Sequence, residues 1–191
     1  MSKEAPGVRY AEIEQETSRC RVRVVLDLDG ERKSTVDTGI PFFDFLLEVF
    51  TESGGFDLGV SAEGDLALGD RHTVEDVGGC IGRAIRQALG SSAGIRGHGC
   101  EVAGVQDALV MSVLELNRSP YLHYVSPFTC ERLGGLSVEC VEVFLRELSQ
   151  WGEMSLHVKK WEGYNNHNIA EALFISLGRA LGSAVRKVES K

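Results

Sequence analysis

The chain carries one segment twice. Arg71-His72-Thr73-Val74-Glu75 and His167-Asn168-Ile169-Ala170-Glu171 each hold a histidine and end in glutamate. Ile81-Gly82-Arg83-Ala84-Ile85 is echoed by Leu177-Gly178-Arg179-Ala180-Leu181, and both pairs are offset by 96 residues (71 to 167, 81 to 177) in a chain of 191. A repeat of half the chain means that one supersecondary unit is used twice. A unit of that size has little interior of its own, so the two copies must share a core.

The flanking segments keep the same order in each copy. In the first, Arg19 to Leu28 alternates polar and β-branched residues and runs into Asp29-Gly30, which reads as a strand ending in a turn. Pro41 then opens a helix over 42–51 with Phe42, Phe43, Leu46, Leu47 and Phe50 at helical spacing, closed by Gly54-Gly55. A strand follows over 56–62, and a long helix over 72–89 stops at Gly90. The second copy reads as a strand over 108–116, a helix over 138–148, a strand over 154–159 and a long helix over 168–185. The expected fold is α+β, a single domain over 1–191 with repeats over about 10–93 and 94–187. Each half is a small mixed sheet covered on one face by two helices, with the remaining faces buried against each other or a neighbouring subunit.

Composition narrows the function classes. Lys and Arg number 20 against 28 Asp and Glu, a net charge of −8 that repels a phosphate backbone, so no nucleic-acid partner is expected. The longest apolar stretches, such as Ile40 to Phe50 and Ala170 to Leu177, are far shorter than a membrane span, and Met1 to Tyr10 lacks the apolar centre of a secretory signal. Cys20, Cys80, Cys100, Cys130 and Cys140 are odd in number and widely spaced, which predicts reduced thiols and a cytoplasmic location.

Two of the five histidines, His72 and His167, open the long helices. His167 and Glu171 are four apart, so one helical face can offer an imidazole nitrogen and a carboxylate to one divalent cation. In the first helix Arg71 and Glu75 have that spacing and His72 and Glu75 are three apart; arginine cannot ligate a metal, so Arg71 and Glu75 read as an ion pair. His157 reads as a structural histidine on a strand, His98 and His123 have no spaced partner, and Trp151 and Trp161 read as packing residues.

Asp37-Thr-Gly-Ile-Pro-Phe-Phe-Asp44, Arg71-His-Thr-Val-Glu-Asp-Val-Gly78, Ala88-Leu-Gly90 and Asn165-Asn-His-Asn-Ile-Ala-Glu171 together resemble imidazoleglycerol-phosphate dehydratase, a family of histidine biosynthesis, from about Glu16-Thr17 to the C-terminus. The resemblance implies a duplicated fold like the second domain of ribosomal protein S5. It also implies a homo-oligomer built from trimers into a 24-subunit particle with sites between subunits, and two Mn(II) ions held by histidines and glutamates. Metals on both ring nitrogens of the substrate would stabilise an imidazolate and weaken a neighbouring C–H bond.

Position by position, the resemblance carries over only half of the eight ligands. Phe45, Arg71, Val143 and Asn168 stand where the family has histidines, and His72, Glu75, His167 and Glu171 remain. One site would keep His72, His167 and Glu171, the other Glu75 alone, which gives one Mn(II) per chain or none. For phosphate, the family's basic loop positions fall beside Arg96 and Arg118, each displaced by one residue, and Ile175 replaces a lysine. By the same resemblance Glu16 and Glu171 are catalytic candidates and Asp107 joins Arg96 and Arg118 as a substrate-binding candidate. The resulting expectation is a family member with lost or strongly weakened dehydratase activity, acting as a noncatalytic or regulatory subunit and co-assembling with an active homologue. An alternative keeps a Mn-dependent dehydratase or related hydro-lyase, with Arg71 replacing one metal's charge. A third makes the retained residues structural remnants.

Overall fold

The computed structural model describes residues 9–90 and 94–188. Most of the N-terminal decapeptide and the 91–93 join between repeats therefore lie outside the described residues. The first half contains β1 (Tyr10–Glu16), β2 (Cys20–Asp27), β3 (Ser34–Asp37), α1 (Pro41–Gly54), β4 (Asp57–Gly64) and α2 (Arg71–Leu89), with a short 3-10 turn at Leu66–Leu68. The second contains β5 (His98–Val105), β6 (Ala108–Glu115), β7 (Tyr121–Val125), the small hairpin β8 (Arg132–Leu133) and β9 (Leu136–Ser137), α3 (Glu139–Gly152), β10 (Ser155–Glu162) and α4 (Asn166–Ala184).

The duplication extends to the strand pairing. The sheets run β1-β2-β4-β3 and β5-β6-β10-β7. In both, the first two pairings are antiparallel and the edge pairing, β3 with β4 or β7 with β10, is parallel. A parallel pair requires a crossover, and α1 and α3 supply it. The alternation of β2, with Cys20, Val22, Val24 and Leu26 buried and Arg21 and Arg23 exposed, gives its sheet one dry and one wet face.

Helices cover the dry faces: α2 packs on β1 and β2, and α4 on β5 and β6. The halves join helix to helix, α2 on α3 and α1 on α4, so the remaining helix faces are buried against each other within one chain. The repeated Gly-Arg-Ala motif makes these crossings. A Cβ at Gly82 would lie 2.7 Å from Gly152 N and 2.9 Å from the Leu148 carbonyl oxygen of α3; one at Gly178 would lie 2.3 Å from the Phe50 oxygen of α1. Only glycine lets the backbones approach this closely, and Phe43, Phe50, Phe144 and Phe174 fill the core around them.

Several expectations change. The regular elements match their predicted segments to within a few residues, but β1, β3, β5 and β7 carried no recognised signal. Trp151 and Trp161 are 45% and 50% exposed, and Trp151 packs on α2, where a Cβ at Gly79 would lie 3.1 Å from its ring. Trp151 lies on the rim, where its Nε1 donates to Glu147 at 3.0 Å and the Arg83 guanidinium stacks 4.8 Å from its ring. His157 lies on the wet face of its strand and is exposed. No described helix is long and apolar enough to cross a membrane, and all five cysteines are free.

Candidate functional site

The two helix starts that carry the retained histidines are built differently. Asp70, immediately before α2, is buried and accepts from the backbone N–H of Ser137 at 2.5 Å, from its hydroxyl at 2.9 Å and from Arg132 at 3.3 Å. A carboxylate with several donors fixes its own backbone, so the β8–β9 hairpin and the first turn of α2 hold each other. His72 then lies on the open side of α2, half exposed. Its Nε2 is 2.8 Å from Nη1 of Arg19, in the loop between β1 and β2, and its Nδ1 is 3.6 Å from Oε2 of Glu75. Guanidinium N–H groups only donate. In this contact Nε2 is therefore the acceptor, and the other ring nitrogen faces the carboxylate.

Behind this array runs a second polar chain. Gln15 Nε2 donates to Asp76 at 2.7 Å and Gln15 Oε1 accepts from Arg83. Burial pushes the Asp76 carboxyl above its usual range. Arg71 forms no ion pair among the described residues; Glu75 faces His72 instead of the expected Arg71.

At α4, Asn165 caps the helix by accepting from the backbone N–H groups of His167 at 2.9 Å and Asn168 at 3.4 Å. Asp107, in the β5–β6 turn, accepts from the backbone N–H of Tyr164 at 2.7 Å and of Asn165 at 3.0 Å, and from the Asn168 side chain at 2.7 Å. The Asn168 donor and the two backbone N–H groups hold the Asp107 carboxyl down at about 2. All three bonds hold the entry to α4. His167 then projects toward α1. Its ring lies 5.1 Å from that of Phe42 and is stacked on Phe45 at 5.6 Å and 28°. Its Nε2 is 3.7 Å from Glu171 Oε2.

The remaining predicted residues lie apart. Glu16 is paired with Arg21 at 3.0 Å on an exposed edge and is not joined to either helix start. Arg96 folds back so that its Nε is 3.4 Å from the His98 ring. Arg118 has a left-handed φ of 60° and lines a small cleft with Arg86, Leu116 and Glu153. Arg19 and Phe42 are the contacts that sequence reasoning missed. Arg19 is 53 residues from His72 and belongs to no repeated motif, so no local signal could have found it.

The retained residues do not fit a manganese site within one chain. Each helix start offers one imidazole and one carboxylate, one imidazole nitrogen is occupied by Arg19, and two phenyl rings offer no donor beside the other. Among the described residues no group of three or more His, Cys, Asp or Glu can hold an ion. A Mn(II) ion wants about six donors, mostly oxygen.

Comparison with known proteins places this geometry in a lineage. The family model of imidazoleglycerol-phosphate dehydratase matches residues 38–181. The imidazoleglycerol-phosphate dehydratase of Acetivibrio thermocellus is 42% identical over 179 residues, covering 94% of this chain and 92% of that protein. That of Desulfitobacterium hafniense is 43% identical over 180 residues, covering 94% and 92%. The crystal structure of the enzyme from Staphylococcus aureus superposes with a TM-score of 0.85 at 25% identity, covering 94% of this chain and 99% of that one. The structure from Pyrococcus furiosus in complex with (S)-C348 gives 0.81 at 27% identity, covering 93% and 95%. The duplicated sheets, the helix-to-helix crossings and the motifs at both helix starts thus have one common explanation: the chain belongs to the imidazoleglycerol-phosphate dehydratase family.

Proposed function

We propose that this family member has lost or strongly weakened the dehydration of imidazoleglycerol phosphate and serves as a noncatalytic or regulatory subunit, co-assembling with an active homologue. The observation that carries this reading is the Arg19–His72 contact, in which a guanidinium engages one of the two imidazole nitrogens of a candidate ligand. Around the other retained pair, Phe45 covers the His167 ring, and Asn168 is committed to Asp107. Two of the four replaced positions, Phe45 and Asn168, thus have structural work in this chain.

The chemistry explains why such losses matter. Removing a proton from carbon beside an imidazole leaves charge on the ring, and cations on the ring nitrogens are one way to stabilise it. Arg19 and Arg71 supply fixed positive charge but offer no lone pair and no open coordination position. The competing reading keeps a hydro-lyase in which these arginines stabilise the developing charge and Arg96 and Arg118 grip the anion.

Mn(II) uptake and turnover of imidazoleglycerol phosphate by the purified chain distinguish the two. Expected are at most one weakly held ion per chain and turnover at least ~100-fold below that of an active relative assayed alongside. The combined change Phe45→His, Arg71→His, Val143→His and Asn168→His with Arg19→Ala should raise metal stoichiometry toward two. Ordinary turnover with two tightly bound ions in the unchanged chain would overturn the proposal.

A further inference from the structure

The wet faces of the two sheets differ. The first carries alternating charges, with Arg23 bridging Glu12 and Glu14. The second carries two histidines side by side. The parallel pairing of β7 with β10 sets His123 directly opposite His157, and both are exposed. Their ring centroids are 5.8 Å apart with planes at 42°. The Tyr121 ring lies 5.4 Å from that of His157. Neither imidazole has a hydrogen-bond partner among the described residues, so both nitrogens of each ring are available.

We propose that His123 and His157 form a bidentate site for a borderline transition-metal dication of the Cu(II), Ni(II) or Zn(II) class, separate from the residues at the two helix starts. An imidazole nitrogen binds such an ion at about 2.0–2.1 Å, which puts each ring centroid roughly 3.2 Å from the metal. Two cis ligands then have centroids about 4.5–5.2 Å apart. The observed separation closes to that range by a movement of about 1 Å, within the reach of small χ changes in exposed side chains.

The surroundings select the metal. The same-face neighbours of the pair are Val113 across β6, Ser155 and Lys159 along β10, and Tyr121 and Val125 along β7. One carboxylate, Glu115, opposes Ser155 and lies diagonally across from His157, where it accepts from Asn117 Nδ2 at 3.4 Å; hard cations that need several oxygen donors are therefore disfavoured and nitrogen-seeking ions are favoured. The Lys159 ammonium opposes any cation and sets a ceiling on affinity. The consequence of binding is mechanical: β7 is an edge strand whose one strand partner among the described residues is β10, and a bridging ion would pin it there. The inference does not depend on whether dehydratase activity survives.

The test is titration of the chelator-stripped full-length protein with Cu(II), read by electron paramagnetic resonance and by metal content per chain. Expected is one ion with a two-nitrogen coupling pattern. Binding should weaken at least ~10-fold in His123→Thr and in His157→Thr, and stay unchanged in the double variant His72→Ala, His167→Ala. Unchanged binding in the strand variants, or loss only in the helix variant, would overturn it. Should either threonine variant fail to fold, Cu(II) broadening of histidine ring resonances in the unchanged protein decides: His123 and His157 must broaden first, and prior broadening of the others refutes the site.

Discussion

Gly178→Ala tests the helix crossing that joins the two halves. The added methyl carbon would sit 2.3 Å from the Phe50 carbonyl oxygen and 3.1 Å from Gly54 N. Carbon–oxygen contacts normally begin near ~3.3 Å, so α4 and α1 must part by about 1 Å. Both obstacles are backbone atoms, and no side-chain rotation relieves them. Overpacking of this kind costs typically 1–3 kcal/mol. The upper end applies here because the separation also loosens the buried Phe50 and Phe174. Alanine returns about 1 kcal/mol through its helix propensity. The net destabilisation should therefore be about 2 kcal/mol, a fall of about 1 M in the urea midpoint at a typical slope near 2 kcal/mol/M. Gly82→Ala, at the equivalent crossing with α3, should behave alike. Gly59→Ala is the control: its Cβ would meet nothing closer than Val25 Cβ at 3.6 Å, and its midpoint should hardly move. Circular dichroism in urea at fixed protein concentration makes the measurement. Wild-type stability in Gly178→Ala would show that the repeated glycine does not set the crossing.

Two further outcomes follow from the charges and thiols. The folded Asp107 carboxyl sits at about 2, below its ordinary 3.8, so the stabilisation it gives is present above that ordinary value and lost as pH falls toward 2. Asp29, held down to about 2 by Arg9 and Lys187, acts in the same direction. Asp107→Asn should flatten the acid limb of the urea midpoint between roughly pH 4 and pH 2, and an unchanged limb would refute the assignment. In the native protein a thiol reagent should modify Cys100 quickly and Cys130 more slowly, with Cys20, Cys80 and Cys140 silent until denaturation. Burial raises all three silent thiols, Cys140 up to about 12. An unreactive Cys100 would mean that the wet face of the second sheet is covered in the assembly.

Legibility in the sequence followed the range of the interaction. Helix α1 is written locally, in Pro41, the phenylalanine spacing and Gly54-Gly55, and β2 in its alternation. The edge strands β3 and β7 are short, and their pairing depends on a crossover partner, so nothing local marks them. His157 shows the same limit: its neighbours Leu156 and Val158 are buried, yet the strand's period of two turns the histidine outward, and only the register with β7 brings it to His123. The bonds of Asp107 were not legible either, because its three donors come from the loop and helix start some 60 residues later.

The sequence alone determined the duplication, the α+β class and the family. These are properties of order and spacing along one chain. The tertiary structure decided what each position does now: Arg19 on His72, Phe45 on His167, Asn168 bound to Asp107, and glycines at the two crossings. Each of those contacts joins segments far apart in sequence, and its strength depends on distances of a few ångströms that no spacing along the chain records.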